Sequence, residues 1–433
     1  MTAQTTTLTS EWMKEMYTPE SIFRPYQEFY TPMLSDLDEC PDYAVTGRRW
    51  NVPLYISTAW NVRTGPEGGG QAGVESDVVR QGQVYAQEFK GTVMLTELLN
   101  VVGTAGGHFN GGALNHQVKQ RTEEMSKNMQ IHFWGHGTGR IGIVDEGVTS
   151  TWIPVRSPLG VFRMFKGMRV DIYDLDAAGA KQIDSARIVE VDYTTRADPG
   201  GVGYNTTIGR IKLDSSVTVT AGWSIYPEDD YGYAPNGIDG LVGNLSGTFL
   251  EQSKTTYPEL QSHRLHASGV PRSLTEGLMR LMSDMIWRRG CEISEIRGNA
   301  GMESEFAALQ SPDKRYNVVG GKSPKYSLGH KEGDLLFSYD RSDVTIRKDP
   351  QCGARTFYFL SFKDTFHKHT SYELDFLKRG SDDMLEPVPS SGGGGFDYVA
   401  QARMWAVCNI SCKNPQGNGV LEDLKDYGSA GDS

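Results

Sequence analysis

Close to its C-terminus the chain carries an apolar residue at every second position from Phe396 to Ile410. Every even position is apolar, while Asp397, Gln401, Arg403 and Asn409 face the other way. A period of two sustained over that length dictates one long strand with a buried face and a partly wet one. Such a strand needs an equally long partner, and the chain's best helix supplies a layer to cover the resulting sheet. Leu114, Val118, Met125, Met129 and Phe133 recur at spacings of four and seven, while Lys119, Glu123, Glu124 and Lys127 occupy other faces. This spacing predicts an amphipathic helix of about six turns over Ala113–Trp134. Gly135-His136-Gly137-Thr138-Gly139 ends it as a glycine C-terminal cap.

Earlier in the chain, Arg49–Ile56 reads as a strand, and extended character resumes at Val84 and continues to Leu95. Between them lies a polar, glycine-rich stretch that includes Gly65-Pro66-Glu67-Gly68-Gly69-Gly70. Two strands so joined make a long projecting hairpin that buries little of itself, and a connection that long needs a function. From 151 to 229 short alternating segments follow one another: Met168–Asp174, Ala186–Tyr193, Thr206–Leu213 and Trp223–Tyr226. Turn residues separate them, which predicts a small inserted β-subdomain. A second helix follows Ser273-Leu274-Thr275-Glu276, read as a capping box, with Leu274, Leu278, Leu281, Met282 and Met285 as its apolar stripe. Arg288 and Arg289 complement its negative end before Gly290. A strand at Glu292–Arg297 and a short helix at Ala300–Leu309 come next.

A chain of 433 residues is too long for one core and predicts two or three domains. Eight Trp, 20 Tyr and 16 Phe supply enough apolar area to exclude global disorder. No run approaches the length needed to cross a bilayer, and the first residues, MTAQTTTLTSEWMKE, do not read as a signal peptide. Five scattered cysteines predict reduced thiols in a cytosolic setting. The net charge of −11 argues against tight nucleic-acid binding, which depends on phosphate neutralisation. Residues 1–44 alone carry eight acidic side chains against Lys14 and Arg24, a net of −6. The charges read as a solvated arm. Trp12, Tyr17, Phe23, Tyr26, Phe29 and Tyr30 are too many aromatics for one, and predict that the segment lies along another surface.

Motifs for chemistry are weak. Gly137-Thr138-Gly139-Arg140-Ile141-Gly142 matches a dinucleotide loop, but that chemistry needs a strand before the glycines and a helix after, and here the order is reversed. A structural turn is the reading. The pairs His132/His136, His263/His266 and His367/His369 lack convergent carboxylates and predict no metal site. Cys408 and Cys412 share a strand face, too far apart for an unstrained disulfide, and read as buried small side chains. No nucleophile elbow, Walker lysine or acid/base carboxylate pair is present, so no catalytic residue and no cofactor is predicted.

Taken in order, these elements form a pattern: an aromatic acidic arm, a long hairpin, one long helix ending in Gly-Thr-Gly, an α/β region and a final long strand. The order resembles the major capsid proteins of tailed double-stranded DNA bacteriophages, with the Hong Kong 97-type shell fold. Phe133-Trp134-Gly135-His136-Gly137-Thr138-Gly139 is similar to that family's spine-helix junction. Thr256-Tyr257-Pro258-Glu259, Ser273 through Gly290, Ile293 and Ile296 resemble its axial domain, and Cys408–Leu424 its C-terminal strand and tail. The resemblance spans most of residues 10–424 in order.

It implies an α+β fold with an N-terminal arm at 1–44, an extended loop at 45–98 and a peripheral domain with the spine helix at 99–150. An inserted β-rich subdomain would occupy 151–229, the axial domain 230–380, and the peripheral return strand and tail 381–433. It further implies a non-enzymatic head protein that self-assembles into hexamers and pentamers of an icosahedral shell around phage DNA, bound without sequence specificity and with no membrane. The expected location is the virion, after assembly in the host cytoplasm. Expected partners are copies of itself, a separate scaffolding protein (since the chain starts without a long helical N-terminal region), a portal and a decoration protein. No covalent cross-link is expected. Contacts between subunits are assigned to Trp12, Tyr17, Phe23, Tyr26, Phe29, Trp60, Arg63, Glu67 and Arg80. An encapsulin-like cargo compartment is the alternative within the same fold, and a cytosolic nucleotide-binding enzyme using Gly137–Gly142 the alternative outside it.

Overall fold

The structure is a computed structural model. It describes residues 32–40, 45–46, 48–57, 76–96, 112–156, 161–175, 179–192, 207–243, 247–268, 270, 272–310, 336–339, 342–353, 355–376, 386–389 and 396–425. In chain order the main elements begin with β1 (Arg49–Ser57), β2 (Val78–Tyr85), β3 (Gln87–Thr96) and α1 (Gly112–Phe133). The strands β4 (Gly142–Ile143), β5 (Val148–Arg156), β6 (Arg169–Asp174), β7 (Ala180–Asp192), β8 (Thr207–Val219) and β9 (Ser224–Pro227) follow. Then come β10 (His263–Leu265), α2 (Glu276–Trp287), β11 (Glu295–Gly298) and α3 (Ala300–Gln310). The remainder comprises β12 (Leu336–Tyr339), β13 (Ser342–Lys348), β14 (Phe357–Leu360), β15 (Phe366–Phe376), β16 (Glu386–Pro389), β17 (Phe396–Cys412) and β18 (Gly419–Leu421). No helix among the described residues is long and apolar enough to cross a membrane.

The chain divides into two compact units. The first takes Met1–Leu34, Ala86–Gln130 and Thr370–Cys408; the second takes Ser35–Tyr85, Ile131–His369 and Asn409–Ser433.

In the first unit the long terminal strand finds its long partner in β3. The two run antiparallel from Val399↔Thr96 to Cys408↔Gln87. The pleat turns Phe89, Val93, Ala402, Met404 and Ala406 inward. The helix covers that face: a Cβ at Gly91 would come 2.7 Å from Met125 Sδ, which shows that the Met125 side chain lies directly on the strand there. Met125 and Met129 are buried as the helical period requires. Lys127 departs from expectation. It is buried rather than solvated, and burial lowers its pKa to about 8 despite the nearby Glu124.

The second unit contains two six-stranded sheets. One has the order β4-β9-β6-β7-β8-β5. Its core includes Ile131, Ile153, Val170, Ile172, Ile188, Ile211 and Ile225. The inserted β-region therefore takes in strands upstream of residue 151. The other sheet has the order β10-β18-β14-β11-β13-β12, with α2 and α3 contributing Met282, Ile286, Met302 and Phe306 to its core. β18 pairs with both β10 and β14, so residues 409–425 belong here rather than with a peripheral tail spanning 381–433. Sequence periodicity carries no trace of such long-range pairing.

Two local expectations change. The α2 cap is Thr275, whose Oγ1 accepts from Leu278 N at 3.3 Å; Glu276 instead pairs with Arg280 one turn on. Starting the helix there turns Met279, Met282 and Ile286 to the sheet and leaves Leu281 exposed. The terminal strand also loses its wet face near its end: Asn409 is buried because its side chain serves backbone groups, donating to Tyr85 O at 2.6 Å and accepting from Asn236 N at 2.8 Å.

Candidate assembly surfaces

The hairpin is where the sequence placed intersubunit contact, and Arg80 is the one assigned residue among those described. Trp12, Tyr17, Phe23, Tyr26, Phe29, Trp60, Arg63 and Glu67 lie outside the described residues. β1 and β2 pair antiparallel from Arg49↔Tyr85 to Ser57↔Val78. The second strand of the hairpin is therefore Val78–Tyr85, a stretch whose Arg, Gln and Gly content reads as loop, and β3 beyond Ala86 serves a different sheet.

The ladder is not bare. Trp50, Val52, Leu54, Ile56 and Val84 form a buried face. The Trp50 ring lies 5.3 Å from that of His369, and Gln83 N donates to Leu250 O at 3.0 Å. Only the opposite face is open, and it carries Tyr55 and Val79 directly across from one another, with Tyr85 at the far end. An exposed aromatic–aliphatic cross-strand pair on a two-stranded ribbon is an apolar surface of the kind partners cover. Arg80 is exposed, but its Nε donates to Tyr257 Oη at 2.8 Å, within the same unit.

Segment 1–44 ends in an anchored root. Asp36 accepts from Arg297 at 2.6 Å and from Arg347 at 3.2 Å, and Asp38–Glu39 pairs in parallel with His367–Lys368. Arg297 is itself buried beneath the Phe362 ring, 4.3 Å away. Asp36 is thus a structural partner, while Asp38 and Glu39 pair through their backbone and keep their side chains exposed.

The Gly-x-Gly turn after α1 forms a closed seam. Gly137 and Gly139 have φ of +83° and +86°, and the chain runs from α1 through the turn into β4, so the strand–loop–helix order that a dinucleotide site requires is not formed. Against the turn lies segment 230–243: Gly240 N donates to Gly135 O at 3.3 Å, and a Cβ at Gly237 or Gly240 would collide with the carbonyl oxygens of Gly135 or His136. The i,i+4 histidines meet separate carboxylates across this seam. His132 Nε2 is 3.1 Å from Asp230 and His136 Nδ1 is 3.4 Å from Asp239.

Below them, Arg163 donates to Trp134 O at 3.1 Å and Gln351 O at 2.9 Å, and Tyr358 donates to Asp239 at 2.8 Å. Burial opposes ionisation of Asp239. The His136 and Tyr358 bonds and the Arg163 charge outweigh it and hold the carboxyl below its usual range. The seam is a structural joint. No group of three or more His, Cys, Asp or Glu that could hold a metal occurs among the described residues. All five cysteines are free thiols. Cys408 and Cys412 are buried, and burial pushes Cys412 up to about 12.

No family model matches the chain, and neither does any curated protein. Solved structures do. A structure of the cyanophage A-1(L) capsid asymmetric unit aligns over 94% of this chain and 98% of its own, with a TM-score of 0.53 and 12% identity. This chain has a capsid-shell fold. The α+β architecture is that of the Hong Kong 97-type shell, with the long helix α1 and the long strand β17 among its elements. The capsid of a native GTA particle matches at a TM-score of 0.46 and 8% identity, over 98% of this chain and all of that one. A structure from Mycobacterium phage Bobi matches at 0.42 and 8%, over 96% and 98%. At those scores the likeness carries no argument, and the shell fold rests on the first.

Beyond Arg80, sequence reading missed the surfaces that the fold leaves open: Tyr55 and Val79 on the ladder, Leu281 and Trp287 on α2, and Tyr231 and Tyr233. A signal existed for α2. Its apolar residues span more of the circumference than one buried face can use.

Proposed function

We propose that this chain is the structural subunit of a phage head, assembling with copies of itself into the hexamers and pentamers of an icosahedral shell around packaged double-stranded DNA. The observation that carries the reading is the fold likeness to the cyanophage capsid subunit over nearly the whole of both chains. The exposed Tyr55–Val79 pair on the open face of β1–β2 supports it, since an apolar pair set out on a ribbon gains by being covered. Interfaces repeated around symmetry axes turn individually modest contacts into a closed particle. A net charge of −11 suits a container that must not grip its polyanionic contents. In this reading the role is mechanical rather than catalytic. The subunit resides in the virion after assembly in the host cytoplasm, and scaffolding, portal and decoration proteins are its partners.

Negative-stain microscopy of the purified full chain tests this: closed icosahedral particles are expected, and a protein that stays monomeric at high concentration overturns it. Particles that co-purify with a cargo enzyme rather than DNA would turn the reading to an encapsulin-like compartment. Removing residues 61–74, which leaves β1 and β2 intact, is expected to give a folded subunit that no longer closes into shells.

A further inference from the structure

Two open surfaces of the second unit are opposite in chemistry. The first is the outer side of α2. The helix buries Met279, Met282 and Ile286 but leaves Leu281 exposed and Trp287 62% exposed, and Trp287 leads into the exposed Arg288 and Arg289. A helix apolar around so much of its circumference is normally covered on more than one side.

The second surface is built on Tyr231, beside β6 and β9. Its ring stacks on Tyr173 at 4.5 Å and meets Tyr226 edge-on at 5.1 Å, and Tyr233 next to it is 74% exposed. Lys181 lies 5.9 Å over the Tyr173 ring, where it pairs with Asp171 at 2.9 Å, Asp184 at 2.6 Å and Asp229 at 3.5 Å. With Arg169 and Glu228 beside them, two cations stand among four carboxylates, so the border of the aromatic patch is acidic; Asp171 is buried, while Asp184 and Asp229 are largely open to solvent.

We propose that these are the two halves of one head-to-tail contact between copies of this chain: the Trp287–Arg289 end of α2 in one copy seats on the tyrosine patch and its acidic border in the next. The proposal rests on the shell reading above and names the partner of one of its interfaces. Trp, Arg and Tyr are the side chains that dominate interface energetics, and opposite charge fixes register and excludes wrong pairings. Both surfaces remain exposed in a single copy, so they do not satisfy one another within the chain. A two-fold contact centred on the Trp287–Arg289 end of α2 would set Arg288 and Arg289 against their own copies. A contact between two different patches avoids this and closes into a ring by repetition.

The test uses full-length chains and reads contact directly. An Arg288→Cys preparation is mixed with an Asp229→Cys preparation and treated with a bismaleimide, with wild type as the control for the native thiols. The expected result is a covalent dimer that forms in the mixture and in neither preparation alone. A dimer in the Arg288→Cys preparation alone, or none anywhere, overturns the proposal. Closed particles without the mixed dimer sink this contact and leave the shell reading standing; the mixed dimer without closed particles does the reverse. As a second arm, Arg288→Glu with Arg289→Glu is expected to weaken association measured by sedimentation about tenfold. Mixing that variant with Asp184→Arg, Asp229→Arg chains is expected to restore it. Association unchanged by the first pair, or not restored by the second, overturns the proposal.

Discussion

The seam after α1 and the ribbon β1–β2 are both built where two pieces of chain run close together, yet they treat their surroundings in opposite ways. At the seam, glycine backbones touch carbonyl oxygens, each histidine has its own carboxylate, and Trp134 is fully buried. The ribbon is finished on one side only: Trp50, Val52 and Leu54 are sealed in, while Tyr55 and Val79 face outward as a matched pair. The difference separates residues that define the fold from residues held in reserve for contact. Change at the first should destabilise the subunit. Change at the second should leave the subunit intact and alter only what it binds.

That contrast can be broken at its strongest point first. Trp134→Ala empties a fully buried indole site and is expected to cost about 3–5 kcal/mol in chemical denaturation; a loss under about 1 kcal/mol would deny the seam its role.

Acid probes the sealed side of the ribbon through His369, which packs on Trp50 and lies 2.7 Å from Ser411 Oγ. Burial, with His367 and Lys413 nearby, lowers its pKa to about 4. Its folded value lies below its unfolded value near 6.5, so the unfolded chain takes up the proton first. The resulting stability is complete above about pH 6.5 and is lost as pH falls toward 4, a total of about 3 kcal/mol. His369→Phe is expected to flatten that part of the stability profile.

Gly240→Val sets a side chain against the His136 carbonyl and is expected to cost about 1–3 kcal/mol, read as a lower melting temperature. The smallest effect on stability belongs to the open face. Tyr55→Ser with Val79→Ser is expected to change unfolding by no more than about 0.5 kcal/mol while reducing particle yield. A large loss of stability there would show the ribbon's outer face to be part of the fold after all.

What could be read in advance follows the same division. The long helix and the long strand were legible because a single period runs through each, from Leu114 to Phe133 and from Phe396 to Ile410. In the inserted region β6 and β9 were legible to within a residue, whereas β7 starts six residues before the expected Ala186, β8 runs six residues past the expected Leu213, and β5 carried no readable signal. Val78–Gly82 was not legible, because Arg80, Gln81 and Gly82 resemble a loop until Pro53 and Leu54 pair with them. The face of α2 was misjudged because its sequence offers two apolar stripes, and only the sheet beneath decides that Met279 and Ile286 go inward while Leu281 does not. Asn409 reads as a solvent-facing residue of a regular strand, yet its amide serves the backbone at Tyr85 and Asn236, partners far away in sequence. Of the candidate surface, only Arg80 was named in advance among the described residues, and its bond to Tyr257 has no local signature.

The division of the chain also bears on how the protein can be made. Each unit is stitched from three separated stretches, the first finishing at Cys408 and the second drawing β18 from the stretch that begins at Asn409. Domains usually fold in turn as they leave the ribosome. Here the sheet β4-β9-β6-β7-β8-β5 has all its strands once Pro227 is made, whereas the sheets that need β17 and β18 must wait for residues 396–421, so the two units finish out of chain order.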